Sequence, residues 1–221
     1  DAKAFAVGVR IQHPQEMIDE SQYGKEAAAI LGAASYKLTH TCANGRGVYS
    51  FCMCPGGLVV NASSEPGRLA VNGMSYHARD GKNANSALIV TVKPEDFGGD
   101  GPLAGVEFQQ QLEEKAYEAG GGRIPVQLYG DFVDGRISEN FGEVQPAFAG
   151  EKAFGDMNEI LPQEVADSLK EGIASFGQVI PGFDRPDAIL AGVESRTSSP
   201  VRIHRDEHME SAVKGLFPCG E

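Results

Sequence analysis

Two thiols, Cys52 and Cys54, stand in the run Gly47-Val-Tyr-Ser-Phe-Cys-Met-Cys-Pro-Gly-Gly57. A cysteine acts as a nucleophile or redox partner where its thiolate is stabilised, so both are candidate catalytic residues. Cys-x-Cys without a second pair is a weak zinc signal. Arg10, Arg79, Arg196 and Arg202 lie beside Asn, Ser and Gly, Asn72 among them. Each carries a rigid fork suited to carboxylate or phosphate, which makes Arg10, Asn72 and Arg79 candidate substrate contacts. The plain alternative is arginine scattered over an acidic surface.

The element that must present the thiols is a strand. Alternation puts Tyr49, Phe51 and Met53 on one face and Ser50, Cys52 and Cys54 on the other, so the thiols are expected to share a face. Pro55 stops the ladder, and Gly56 and Gly57 permit a close backbone approach such as a flat ligand would need. A buried hairpin whose cysteines serve as small apolar residues is the alternative. Other local signatures are missing. The sequence has no Gly-x-Ser-x-Gly elbow, no Gly-x-Gly-x-x-Gly and no Gly-x4-Gly-Lys-Ser/Thr. Of the five histidines only His204 and His208 have helical spacing, and no metal site is expected.

A chain of 221 residues, 41% hydrophobic and 23% charged, is long enough to bury a sizeable core. Its net charge of −12 disfavours nucleic acid and anionic membrane as partners. No apolar run is long enough to span a bilayer, no leader is evident, and four cysteines fit reduced thiols, so a cytoplasmic location is expected. The chain opens without Met and stops at Cys219-Gly-Glu221, and is expected to be a segment of something longer.

Along the chain, about six short strands crowd residues 1–92, which predicts a mixed, largely antiparallel sheet or barrel. Residues 93–187 read as a helical part. Leu103–Tyr117 follows the helical stripe, and Val165, Leu169, Ile173 and Phe176 define a second helix over 161–176. Between these helices, 134–160 reads as a long surface loop. Residues 188–221 read as return strands, Ala188–Glu194 and Val201–His204. The polar Ser195–Pro200 between them is either a turn held by its own hydroxyls or an anion or cofactor contact. The fold class is α+β, with two or three helices flanking the sheet.

Taken together, Gly8-Val-Arg-Ile-Gln-His-Pro14, Ser35-Tyr-Lys-Leu38, Tyr49–Gly57, Asn72-Gly-Met-Ser75, Asn83-Ala-Asn-Ser86, Pro102–Gln109, Gly192–Arg202 and Pro218-Cys-Gly-Glu221 resemble the uncharacterised bacterial FAD-dependent (NAD(FAD)-utilising) dehydrogenases. The resemblance spans nearly the whole chain except about 134–160. It implies an insert or substrate-binding domain, residues 1–221, of a flavoprotein with two dinucleotide-binding domains. The FAD-binding domain would come from sequence on either side. On the same ground Gly220 and Glu221 would continue into a turn touching the flavin's phosphate or ribityl chain; Arg196 is a candidate cofactor contact from the residues of its own polar stretch. A looser similarity to geranylgeranyl-reductase-like flavoenzymes implies that Pro55, Gly56 and Gly57 face the isoalloxazine.

The resulting expectation is hydride transfer to or from a small-molecule substrate by FAD in the full-length protein, with the segment alone inactive. The competing expectations are a non-catalytic domain that binds an anionic ligand or a partner, and a thiol redox or metal module using Cys52 and Cys54.

Overall fold

The computed structural model describes residues 1–220. Its frame is a pair of ten-residue strands, β1 (Phe5–Pro14) and β6 (Asn83–Val92), antiparallel at every position from Phe5 opposite Val92 to Pro14 opposite Asn83. Both strands are rich in Val, Ile, Leu and Ala, and both are covered on each face, so they read as near-continuous buried runs. Around them form β2 (Thr39–Thr41), β3 (Gly47–Cys54), β7 (Ile124–Leu128), β9 (Lys152–Phe154) and β10 (Ile189–Glu194). The seven strands run in the order β2-β3-β6-β1-β10-β7-β9, with β9 parallel to β7 and the other pairs antiparallel. β4 (Gly57–Asn61), β5 (Val71–Ser75) and β8 (Phe148–Ala149) make a second sheet in the order β5-β4-β8. The α+β class holds, and the large sheet ends in free edges at β2 and β9, so it is not a closed barrel.

Among the described residues six α-helices complete the fold: α1 (Gln15–Tyr23), α2 (Lys25–Leu31), α3 (Ala104–Ala119), α4 (Tyr129–Asp134), α5 (Met157–Ile160) and α6 (Gln163–Gly177). The stripe Val165, Leu169, Ile173, Phe176 of α6 is buried with Val9 and Ile11 of β1 and Leu88 and Val90 of β6. Gly172 lets α6 approach the sheet, since a Cβ there would sit 2.8 Å from Val48 Cγ1. The face opposite α6 carries the alternate residues, Arg10 and Gln12 of β1 opposite Ala87 and Asn85 of β6. The small sheet lies over that end, with β5 against β1, β3, β6 and β10.

Two expectations are corrected. Residues 134–160 are not a loop: β8, β9 and α5 lie there, and Met157 and Ile160 are fully buried. Each of those strands is too short to show a period and extends a sheet built from distant sequence. Val201–His204 forms no strand, only a single bridge from Val201 to Ala2. The parts 1–92, 93–187 and 188–221 contribute to one sheet, in which β10 lies between β1 and β7.

Candidate functional site

Arg10 sits on β1 with its side chain at 0% exposure, between the two sheets. A buried cation must be neutralised and hydrogen-bonded, and the chain supplies both. Nε donates to Glu194 Oε2 on β10 at 2.6 Å. Nη1 donates to the Cys52 carbonyl at 2.8 Å and to Asn85 Oδ1 at 3.1 Å, and Nη2 donates to Asn72 Oδ1 on β5 at 2.7 Å. One guanidinium thus ties together β1, β3, β5, β6 and β10. Burial works against the Arg10 charge, but the Glu194 carboxylate outweighs it and Arg10 stays protonated; burial pushes the Glu194 carboxyl up, and the Arg10 charge pulls it back only in part.

The close fit explains a glycine. A Cβ on Gly73 would fall 2.4 Å from Arg10 Nη1 and 2.3 Å from Asn85 Oδ1, so only glycine lets β5 lie over the guanidinium. Asn85 Nδ2 and its cross-strand neighbour Gln12 Nε2 are buried without a partner among the described residues.

Arg10 also fixes the shape of β3. The register against β6 slips between Phe51, opposite Ala87, and Cys54, opposite Asn85, and Cys52 takes a φ of 45°. This is a bulge: an extra residue re-aims the side chains that follow. The expected shared face of the two thiols is therefore broken. Cys52 is exposed beside Phe51, itself 46% exposed, while Cys54 turns inward and sits opposite Asn85 on the Arg10 side. The Cys54 Sγ lies 3.8 Å from Arg10 Nη1 and 3.4 Å from the Cys52 carbonyl. Burial raises the Cys54 pKa above the ordinary thiol value, and the Arg10 charge offsets this only in part. Of the two thiols, Cys52 is the one presented to solvent.

Pro55, Gly56 and Gly57 are buried. The Gly56 N–H donates to Gln15 Oε1 at 2.7 Å, and the Pro55 carbonyl accepts from Ser75 Oγ at 2.7 Å. Gly56 has a φ of 51°, and a Cβ on it would meet the Arg79 carbonyl at 1.9 Å; one on Gly57 would meet the Met74 carbonyl at 2.4 Å. The close approach these glycines allow is made by the chain's own backbone, which leaves no flat cradle at this point. Arg79 enters the cluster through its carbonyl, and its exposed side chain lines a separate cavity of about 590 Å³ with Asp19, Lys82 and Gln145.

Arg196 belongs to a different site. It grips the buried Glu113 of α3 with a two-pronged pair, Nε–Oε1 and Nη2–Oε2 both 2.8 Å, and Nη1 donates to Ser64 Oγ at 2.8 Å. Ser195 Oγ donates to Glu113 Oε1 at 2.6 Å, and Thr197 Oγ1 donates to the Ala6 carbonyl at 2.8 Å, so hydroxyls hold this turn in place. Burial pushes Glu113 up, yet its bonds to Arg196 and Ser195 bring it below the ordinary carboxylate value. Gly220 lies in a third place, a cavity of about 620 Å³ lined also by Thr197, Arg202, Arg205 and Cys219. Glu221 lies outside the described residues.

Of the candidates read from the sequence, then, Arg10, Cys52, Cys54 and Asn72 come together, with Pro55–Gly57 and the Arg79 backbone adjoining, while Arg196 and Gly220 stand apart. Asn85 and Glu113 are not among those candidates, and Glu194 figures among them only through the polar stretch beside Arg196. A charge closing the apolar run Ile189–Val193 was the available signal for Glu194.

The fold and site define an α+β domain of two sheets joined by a buried arginine, without a dinucleotide fingerprint of its own. The chain belongs to the family described as FAD-dependent protein, C-terminal domain-like, whose model matches residues 4–197. It is also 56% identical over 226 residues to an uncharacterized protein of Clostridium beijerinckii, a match that covers 100% of this chain and 42% of that protein. The chain thus spans less than half the length of the curated relative it matches. Among the described residues no helix is long and apolar enough to cross a membrane.

Proposed function

We propose that this chain is the substrate-facing domain of a flavin-dependent oxidoreductase whose FAD-binding domain lies elsewhere in the full-length protein. The family supports the flavin, and the observation that carries the site is the Cys52 bulge, held from beneath by Arg10 and offered to solvent beside Phe51. When bound, FAD would supply hydride transfer to or from a small-molecule substrate. The residues of this chain orient and enclose. Arg10 and Asn72 are positioning residues beneath the reacting surface, because the Arg10 side chain is closed to solvent. Cys52 and Phe51 line the substrate side, and Pro55, Gly56 and Gly57 fix the bend that aims them. Arg196 and the Gly220 region lie toward the flavin's anionic part.

The test is protection of Cys52 in the full-length protein, measured as the rate of iodoacetamide alkylation by peptide mass spectrometry with FAD bound and after its removal. Bound flavin should slow Cys52 severalfold and should also slow Cys219, which lines the cavity with Gly220. A full-length protein purified without flavin and unable to take it up would sink the reading, as would equal Cys52 rates in both forms. A second reading, a non-catalytic domain for an anionic ligand, draws on the cavity lined by Arg202, Arg205 and Thr197. It predicts that phosphate protects Cys219, on the rim of that cavity, and that flavin is absent.

A further inference from the structure

We propose that His40, Cys42 and Glu171 form a zinc site that clips the free edge of the large sheet to α6. β2 is a three-residue edge strand bound on one side only, to β3 through Thr39–Tyr49, His40–Val48 and Thr41–Gly47. His40 and Cys42 are two residues apart on this extended segment, so both side chains fall on the same side. That side faces one turn of α6. His40 Nε2 lies 3.0 Å from Glu171 Oε1, and Cys42 Sγ lies 3.5 Å from the Ser168 carbonyl, one turn before Glu171.

The three donor atoms lie within 4.8 Å of one another. A tetrahedral zinc with bonds of about 2.0–2.3 Å separates its ligand atoms by roughly 3.5 Å, so small side-chain adjustments close this set on one ion. The frame behind the ligands is fixed. The Ala43 N–H donates to both oxygens of Glu171, at 3.0 and 3.3 Å. The Cys42–Arg46 turn is closed by Gly45 N to Cys42 O and Cys42 N to Arg46 O, both 2.8 Å, and Asn44 Nδ2 anchors it to Ser168 Oγ at 2.9 Å. Supporting bonds of this kind orient metal ligands and raise affinity.

Ligand chemistry selects the ion. Thiolate with imidazole and one carboxylate suits zinc and disfavours magnesium and calcium, which prefer sets made of oxygen alone. On binding, Cys42 Sγ bonds the metal and releases its proton to the buffer. Three protein ligands leave the fourth position to water at a rim where the His40 and Glu171 side chains are 26% and 41% exposed. The site is on the α6 side of the sheet, away from the Cys52 bulge, and stands whether or not the flavin reading does.

The experiment uses the full-length protein, stripped with chelator and titrated with zinc against a chromophoric competitor, with cobalt as a spectroscopic substitute. Stoichiometric zinc should bind. Cys42→Ser, His40→Ala and Glu171→Gln should each weaken it by more than the roughly tenfold to hundredfold that losing a group behind a ligand costs, and Cys52→Ser and Cys219→Ser should leave it unchanged. The cobalt form should show a thiolate charge-transfer band that Cys42→Ser abolishes. No competition for zinc, or zinc held equally by Cys42→Ser, overturns the site. If Cys42→Ser fails to fold, the two variants at the partly exposed His40 and Glu171 decide, and full zinc affinity in both overturns it as well.

Discussion

Arg10 Nε and Glu194 Oε2 lie 2.6 Å apart with their side chains at 0% and 4% exposure, joining residues 184 apart in sequence. The pair closes β1 against β10, and the same guanidinium reaches the small sheet through Asn72 and the bulge through Cys52. Stability and the presentation of Cys52 therefore depend on one side chain.

Removing the carboxylate strands a buried cation. Glu194→Ala should cost about 3–5 kcal/mol, the range for breaking a buried pair by deleting one partner. Glu194→Gln, which keeps an acceptor for Nε, should cost less. Urea unfolding of both variants is the measurement, and a loss under about 1 kcal/mol for Glu194→Ala would show that water reaches Arg10.

The small sheet's seat on Arg10 depends on the missing side chain at Gly73. Gly73→Ala forces either Arg10 or β5 to move, at about 1–3 kcal/mol. Gly56→Ala should be worse, because its Cβ meets the Arg79 backbone at a positive φ, where neither relaxation of a side chain nor an easy backbone change is open. Thermal unfolding of the two variants should rank them in that order, and the reverse order would mean that the Arg79 turn yields more readily than the arginine.

Stability should fall on mild acidification, and His13 is the cause. Its ring is fully buried, with its centroid 4.3 Å from that of Phe183 at a tilt of 37°, and Nε2 is 2.7 Å from the Phe183 carbonyl. Burial lowers its pKa from 6.5 to about 4, although the bond to Phe183 opposes this. The unfolded chain takes up a proton as pH drops through 6.5 and the native chain does not until about 4, so stability declines across that window and levels off below it. The total is on the order of 3 kcal/mol. Carboxylates held below their ordinary values, such as Glu113 and Asp187, lose their contribution only at lower pH, below the unfolded carboxylate range. His13→Gln, which keeps a donor, should be flat between pH 6.5 and 4.5 in chemical denaturation; a slope equal to the parent's would place the titrating group elsewhere.

How far the sequence shows these features depends on the length scale of the signal. The α6 stripe and the runs of β1 and β6 repeat within a few residues, so they were legible. β8 and β9 have two and three residues, and each is defined by a parallel partner far away in sequence. The bulge escaped alternation for a related reason: nothing between Phe51 and Cys54 announces an extra residue, and the cause is the Arg10 fork gripping the Cys52 carbonyl from another strand. Arg10 was legible as a residue able to bind an anion, but that the anion is Glu194 could be seen only in the fold. Cys42 drew no attention because its companions, His40 and Glu171, meet it only when β2 docks on α6.

The four thiols should divide cleanly by reactivity. Cys52 and Cys219 are exposed, whereas Cys42 and Cys54 are buried, and burial holds both buried thiols above the ordinary cysteine value. Only the thiolate attacks an alkylating agent, so access and pKa act in the same direction for the buried pair. Iodoacetamide at neutral pH should label Cys52 and Cys219 quickly, and label Cys42 and Cys54 only as the protein opens, with urea speeding the slow pair far more than the fast one. Cys52 and Cys54 are the decisive comparison, since they share a strand and differ in which side of the bulge they occupy. Time-resolved peptide mass spectrometry separates them. Equal rates for the two would mean that β3 runs straight through Cys52 without the bulge, and that Arg10 does not hold its carbonyl.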